Sequence, residues 1–153
     1  AVWPGPPTLE ALSLLDSEMC RAVQTQGNGL AYLSIVESTT STPSFEARQL
    51  ISSMLKRYSV NYGVFPHVLL GGFSWLARPI MAGLAFLSGV QLPMPFFASV
   101  ERAAAWLTTG YLRESSLEDS DIIAAVQLLR ALATTSEALE KSEPRGIAFH
   151  DAK

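Results

Sequence analysis

The feature that most constrains this chain is a repeated order of short apolar segments and helical segments. Strand-like runs occupy Leu30–Glu37, Tyr62–Leu70 and Pro93–Phe97, and each run is followed by turn residues and then a helical pattern. Strands that alternate with helices pair in parallel, and the helices cover the faces of the sheet. With Ala1–Trp3 as a further strand, the sequence predicts an α/β fold: a mainly parallel four-stranded sheet, helices on its faces and an extra C-terminal helix.

Helix-start signals divide the helical segments. Thr8 is suited to cap the first helix, and Thr42 with Pro43 predicts the start of the second, because proline fits the first helical position. Ser116 and Asp119 resemble a capping box for the last helix. The core-facing stripe predicted for that helix is Ile122, Val126, Leu129, Ala133 and Ser136.

Length and composition indicate one domain, assigned to residues 1–141 of the 153, with a polar and frayed tail at 142–153. Hydrophobic residues are 48% of the chain and charged residues 16%, which favours a buried sheet and further surface hidden by a partner. The net charge of −3 and the scattered Lys and Arg predict no nucleic-acid-binding surface. The lone Cys20 excludes an internal disulfide and fits a reducing compartment, so we expect a cytoplasmic protein without a signal peptide.

One stretch has the length of a membrane span. Pro79–Ala98 contains twenty residues without a formal charge. However, Gly89, Gln91, Pro93 and Pro95 divide this stretch into a helical half and an extended half, and prolines spaced two apart disrupt a continuous helix. The sequence therefore predicts a helix, a turn and a buried strand here, and no membrane span.

Residues 96–107, FFASVERAAAWL, resemble the closing strand and helix of STAS-like (SpoIIAA-like) proteins, which often end in a phrase of the type F-x-S-x-E-x-A-x-x-W-L. The segments VWPGPPT and PSFEARQLISSML, and the glycine turn after VLL, fall where such domains have strand, helix and strand. The resemblance covers about residues 1–109 and leaves out the final helix. It implies a small α/β module that interacts with other proteins, in a family where some relatives hold apolar or nucleotide ligands.

The loop of hydroxyl residues after the second strand is a candidate phosphate or regulatory loop. Phosphate-switched STAS regulators present an Asp-Ser-Ser-Gly turn at a helix start, whereas this chain has Glu37 and no glycine there. A helix N-terminus attracts anions through its free amides and dipole. An ordinary polar loop with capping residues remains the alternative. The loop residues are Ser38, Thr39, Thr40, Ser41 and Thr42.

Enzyme chemistry has one candidate in the sequence. Gly72-Phe73-Ser74-Trp75-Leu76 has the strand–turn–helix layout of a nucleophile elbow, with Ser74 as nucleophile. Leu76 replaces the second glycine, and only His67 and His150 are available as a base. We therefore predict no catalytic residue and no enzyme, and the serine hydrolase stays a third hypothesis.

Partner binding is the function that the sequence favours. No metal-ligand spacing and no cofactor fingerprint are present, so neither is predicted. Phe73 and Trp75 follow a strand at the carboxyl edge of a parallel sheet, where ligands and partners usually bind. The prediction is a STAS-like module that self-associates or docks on a protein partner. The alternative is a carrier or sensor of a small apolar ligand, held between the sheet and the helix at Pro79–Ser88.

Overall fold

The computed structural model describes residues 1–37, 42–70, 79, 82–83, 86, 89 and 93–142, with residues 136–142 described by their backbone alone. The strands are β1 (Val2–Trp3), β2 (Leu30–Ala31), β3 (Ser34–Val36), β4 (Tyr62–Val64), β5 (His67–Leu69) and β6 (Phe96–Phe97). The helices are α1 (Leu9–Gln26), α2 (Phe45–Tyr58), α3 (Val100–Trp106) and α4 (Asp119–Ser142), and a π-helical turn, Leu107–Tyr111, follows α3 directly.

The central sheet contains β1, β3, β5 and β6 in that order, and every neighbouring pair is parallel. One row across it runs from Val2 through Ile35 and Val68 to Phe97. The strands lie in the order of the chain, as expected when each helical connection leads to the next position in the sheet. The predicted α/β class, parallel four-stranded sheet and C-terminal helix are confirmed.

Two predicted strands are interrupted. Leu30–Glu37 divides into β2 and β3, and Tyr62–Leu70 divides into β4 and β5, with β2 and β4 forming a separate two-stranded parallel sheet. Leu30 lies opposite Tyr62 but Ala31 lies opposite Val64, so Gly63 is an extra residue that bulges from the ladder. Pro66 then has no amide hydrogen to donate. These two features explain why each long strand is broken.

The buried side chains form two cores, each of which packs against different helices. Successive side chains of a strand point to opposite faces of the sheet. Ile35 and Val68 therefore lie on one face of the central sheet, and Ser34 and His67 lie on the other. The first face carries a core that joins the sheet to α3 and α4, formed by Ile35, Val68, Val100, Ala103 and Val126. A second core joins α1 and α2 to the β4 side of the two-stranded sheet, and it is formed by Met19, Met54, Leu55, Tyr58, Tyr62 and Phe65.

Helix α1 begins as the sequence predicts, because the Thr8 hydroxyl accepts a hydrogen bond of 3.1 Å from the Ala11 amide. The predicted start of α2 is wrong by two residues. Ser44, with extended backbone angles, accepts from the Ala47 amide at 3.2 Å, and Pro43 lies before the helix. A hydroxyl cap needs an extended residue directly before the helix, and the chain is still extended after Pro43.

The predicted capping box at the start of α4 is also wrong. The helix begins at Asp119, and the Asp121 carboxylate accepts a hydrogen bond of 2.9 Å from the Glu118 amide. Glu118 therefore stands at the cap position, and Asp121, three residues later, plays the reciprocal part of the box. The preceding residues turn back on the π-helical segment, since the Ser115 amide donates to the Leu112 carbonyl oxygen.

Candidate functional site

Most residues that the sequence predicts for a site lie outside the described residues. They include the aromatic pair proposed for partner binding, the serine of the nucleophile elbow and four of the five hydroxyl-loop residues: Phe73, Trp75, Ser74, Ser38, Thr39, Thr40 and Ser41. Thr42 is described; it is exposed and precedes the α2 cap by two residues. The partner-binding, phosphate-loop and hydrolase hypotheses therefore stay predictions.

The carboxyl edge of the central sheet is tied to the last helix by an ion pair. Glu37 follows β3, and its amide donates to the Trp3 carbonyl oxygen at 3.1 Å, which holds the residue against β1. The Glu37 carboxylate accepts a hydrogen bond of 2.8 Å from Arg130 Nε on α4. Both side chains remain partly exposed, so the pair adds little stability, but it turns the Arg130 guanidinium toward the sheet edge.

Glu101 in the first turn of α3 lies in the same electrostatic environment. Hydrogen bonds from its own backbone amide and from Ser99 hold the pKa of the Glu101 carboxyl below its usual value, and Arg130 lowers it further by charge attraction. Arg130, midway along α4, thus interacts with the carboxylates of Glu37 and Glu101. Its charge does not project from the outer side of that helix.

A buried polar row crosses the other face of the sheet. Ser34 lies opposite His67, and His67 lies opposite Phe96, with the imidazole stacked on the phenyl ring at 5.4 Å between centroids. His67 is 3% exposed, and its Nε2 atom has no hydrogen-bond partner among the described residues. Burial lowers the pKa of His67 to about 4, helped by the nearby α-amino group of the chain, so the imidazole is neutral at pH 7.

Tyr32 extends this row toward β2. Burial raises the pKa of the Tyr32 hydroxyl, and hydrogen bonding with Trp3 and Ser34 offsets only part of that rise. The row is therefore a set of neutral polar groups enclosed by aromatic rings. Ser34 and His67 are buried, whereas Tyr32 is half-buried.

Metal chemistry has no support in the described part of the chain. Its histidine, cysteine, aspartate and glutamate side chains form no group of three that could hold a metal ion. Cys20 lies exposed on α1, where its sulfur is 3.5 Å from Gln24 Nε2. Nor does any helix within these residues combine the length and the apolar character needed to cross a membrane.

The exposed side of α4 is the candidate functional surface. Ile123 and Val126 on the inner side pack into the core with Ile35 and Val68. On the outer side, Leu128 is 62% and Leu132 is 58% exposed. We name the row to which these leucines belong the α4 seam. Its members, all exposed, are Ala125, Leu128, Leu132 and Thr135.

The spacing of the seam is that of helices that pack on one another. The intervals of three, four and three residues place its four members along one line of the helix. Leu129 lies beside the seam and is also exposed. Between Asp121 and Glu137 the one charged residue of α4 is Arg130, which is paired with Glu37. The seam is therefore apolar, exposed and uncharged.

The sequence analysis missed this surface because it assigned one apolar stripe to α4. Val126 is buried as predicted, but Leu129 is exposed, so the stripe that includes both does not follow the true boundary of the core. A signal was present: apolar residues occur on two sides of this helix, which is unusual for a helix with one solvated face. Other exposed large apolar residues of the described part of the chain include Leu9 and Leu14 on α1, Phe45 on α2 and Val60 in the turn after α2.

Searches of protein-family models, of curated proteins and of solved structures find no match to this chain.

Proposed function

We propose that this protein is a non-enzymatic interaction or assembly module of STAS-like type, which self-associates or docks on a protein partner. The observation that supports the proposal is the exposed α4 seam. A helix on the surface of a domain normally presents charged and polar residues to water. Two leucines more than half exposed, in line and without charge, are typical of a surface that another protein covers.

The position of Arg130 supports the same proposal. Arg130 is the one charged residue of α4 between Asp121 and Glu137, and its guanidinium is hydrogen-bonded to Glu37 at the sheet edge, on the side of the helix away from the seam. The pairing leaves the seam free of charge, and charged residues are depleted at the centres of protein interfaces. The chain also has a mean hydropathy of +0.23, which is high for a domain with its whole surface in water.

The enclosed polar row supports a scaffold rather than a reaction centre. His67 is neutral and buried, and its ring is stacked on Phe96 within the sheet. We further propose a reducing, cytoplasmic setting, because Cys20 is an exposed free thiol that an oxidising compartment would expose to pairing.

The experiment compares chemical cross-linking and capture from source cells for three chains: wild type, Leu128→Glu with Leu132→Glu, and Leu14→Glu. Leu14 is 66% exposed on α1, so it is matched to the seam leucines in type and exposure. We expect the cross-linked species of the wild type to persist in Leu14→Glu and to disappear in the double variant. Circular dichroism checks that all three chains are folded. Identical cross-linked species from wild type and double variant would refute the proposal.

Two measurements separate this proposal from the other hypotheses. Native mass spectrometry after gentle purification should give masses of the chain or its multimers alone, and a retained lipid-like mass would favour the apolar-ligand carrier. A fluorophosphonate probe should leave the chain unlabelled. Labelling that is lost on Ser74→Ala would favour the serine hydrolase instead.

A further inference from the structure

We infer that the α4 seam is covered by a second copy of this chain, with the two α4 helices antiparallel and Leu128 of each opposite Leu132 of the other. This inference rests on the proposed function and names the partner at the same surface. Three observations support it: the absence of charge along the seam, the order of large and small residues in it, and the direction of the helix.

The absence of charge along the seam favours a second copy of this chain over a partner with a charged surface. In a dimer with two-fold symmetry, residues near the symmetry axis face the same residues of the other copy. An unpaired charge near the axis would therefore face a like charge. The seam between Asp121 and Glu137 contains no such charge, because Arg130 is bound to Glu37 on the other side of the helix. Two copies can therefore approach along this line without bringing like charges together.

The order of residue sizes favours an antiparallel arrangement. The seam consists of Ala125, Leu128, Leu132 and Thr135, so it reads small, large, large, small in either direction. Antiparallel packing places Leu128 against Leu132 in two equivalent layers, and the smaller Ala125 against Thr135 in the layers outside them. The small residues in each outer layer allow the two helix backbones to approach each other. The leucines in the central layers fill the space between the helices.

The helix direction and length fit the same arrangement. Helix α4 has 24 residues, of which the side facing the domain packs on α3 and β1. Antiparallel neighbours place the positive end of one helix dipole beside the negative end of the other, which is favourable. The exposed leucines supply a small apolar area compared with a permanent dimer interface, so the dimer is expected to be reversible and dependent on concentration.

Sedimentation velocity over a wide concentration range under reducing conditions tests the association. We expect a monomer–dimer equilibrium in wild type and in Leu14→Glu, and a dissociation constant raised about tenfold or more in the Leu128→Glu, Leu132→Glu chain. A wild type that stays monomeric throughout, or a dimer unchanged by the double substitution, would overturn the inference. Thermal unfolding of each variant verifies that loss of the dimer is not loss of the fold.

Disulfide trapping tests the direction of the helices. In a Cys20→Ser background, reduced chains with Ala125→Cys and reduced chains with Thr135→Cys are oxidised in three samples: each chain alone, and the two chains mixed before the oxidant is added. A disulfide requires Cα atoms within about 7 Å. The antiparallel dimer predicts that the mixture forms the Ala125→Cys/Thr135→Cys heterodimer, while each chain alone cross-links weakly. Strong cross-linking of Ala125→Cys with itself would indicate parallel helices and overturn the inference.

Failure of this inference and failure of the proposed function give different results. If the wild type is monomeric but a captured protein depends on Leu128 and Leu132, the second-copy arrangement is refuted and the interaction module stands. If the captured species are also insensitive to these two positions, both are refuted.

Discussion

Tyr111 lies directly against Gly63, and the two positions are shaped for each other. The Tyr111 hydroxyl donates a hydrogen bond of 3.3 Å to the Leu30 carbonyl oxygen. A Cβ atom at Gly63 would lie 2.8 Å from Cζ and 2.9 Å from Cε2 of the tyrosine ring, and closer still to its hydroxyl oxygen. The bulge in β4 and the π-helical turn that carries Tyr111 are therefore two irregularities that pack together.

Replacing Gly63 by alanine should destabilise the fold. We expect Gly63→Ala to lower the free energy of unfolding by about 1–3 kcal/mol, because the new methyl group must displace the Tyr111 ring. Gly110→Ala is the matched control on the same turn: nothing lies within 4 Å of its added carbon, so we expect a change below about 1 kcal/mol. Urea unfolding measures both.

A double variant locates the cause of this effect. Tyr111→Phe removes the atom nearest to the added carbon, so Gly63→Ala should cost less in the Tyr111→Phe background than in wild type. Equal costs in the two backgrounds would show that the tyrosine hydroxyl is not what excludes alanine from position 63.

His67 should make stability depend on pH. The unfolded chain protonates His67 at its ordinary pKa of 6.5, whereas the folded chain resists protonation down to about 4 because the ring is buried. The unfolded state therefore binds more protons between these values. Stability is highest above pH 6.5 and falls as the pH drops from about 6.5 to about 4, by up to about 3 kcal/mol.

The His67→Gln chain provides the test. The free energy of unfolding of this chain is measured by urea titration at several pH values. Between pH 6.5 and 4 it should fall less steeply with decreasing pH than the free energy of unfolding of wild type. Equal slopes for wild type and His67→Gln would contradict the assignment.

The contact between α1 and α2 depends more on Tyr58 than on Arg57. The Tyr58 hydroxyl donates to the Asp16 carbonyl oxygen and to Asp16 Oδ1, both at 3.0 Å, and Tyr58 is buried. Arg57 also contacts the Asp16 carboxylate, at 2.7 Å, but its side chain is largely exposed. Tyr58→Phe should cost about 1 kcal/mol in urea unfolding, and Arg57→Met less than that. The reverse order would contradict this account.

The parallel sheet could be predicted from the sequence because it depends on local order. Apolar runs alternating with helical periodicity were sufficient for the class and the strand direction, and the hydroxyl residue before the first helical pattern was sufficient for the cap at Thr8. Pro66 is a local signal for a break in the run Tyr62–Leu70, but the bulge at Gly63 was not predictable in this way. The break near Gly63 depends on Tyr111, 48 positions later in the chain, and contacts between distant residues leave no periodicity in the local pattern.

The candidate site was harder to predict for a related reason. Helix α4 has apolar residues on two sides. Which of these sides is buried depends on how the helix packs on α3 and β1. Val126 faces that contact and Leu128 does not, although the two residues are only two positions apart. Periodicity identifies the two apolar sides, and tertiary packing selects the buried one.

Carbene footprinting of the wild-type chain, dilute and concentrated, tests the central claim most directly, because it measures coverage of individual side chains. We predict that labelling of Leu128 and Leu132 falls several-fold in the associated state, while labelling of Leu14 on α1 is unchanged. Equal labelling of the seam leucines in the free and associated states, or protection at Leu14 instead, would contradict the claim that the outer side of α4 is the interaction surface.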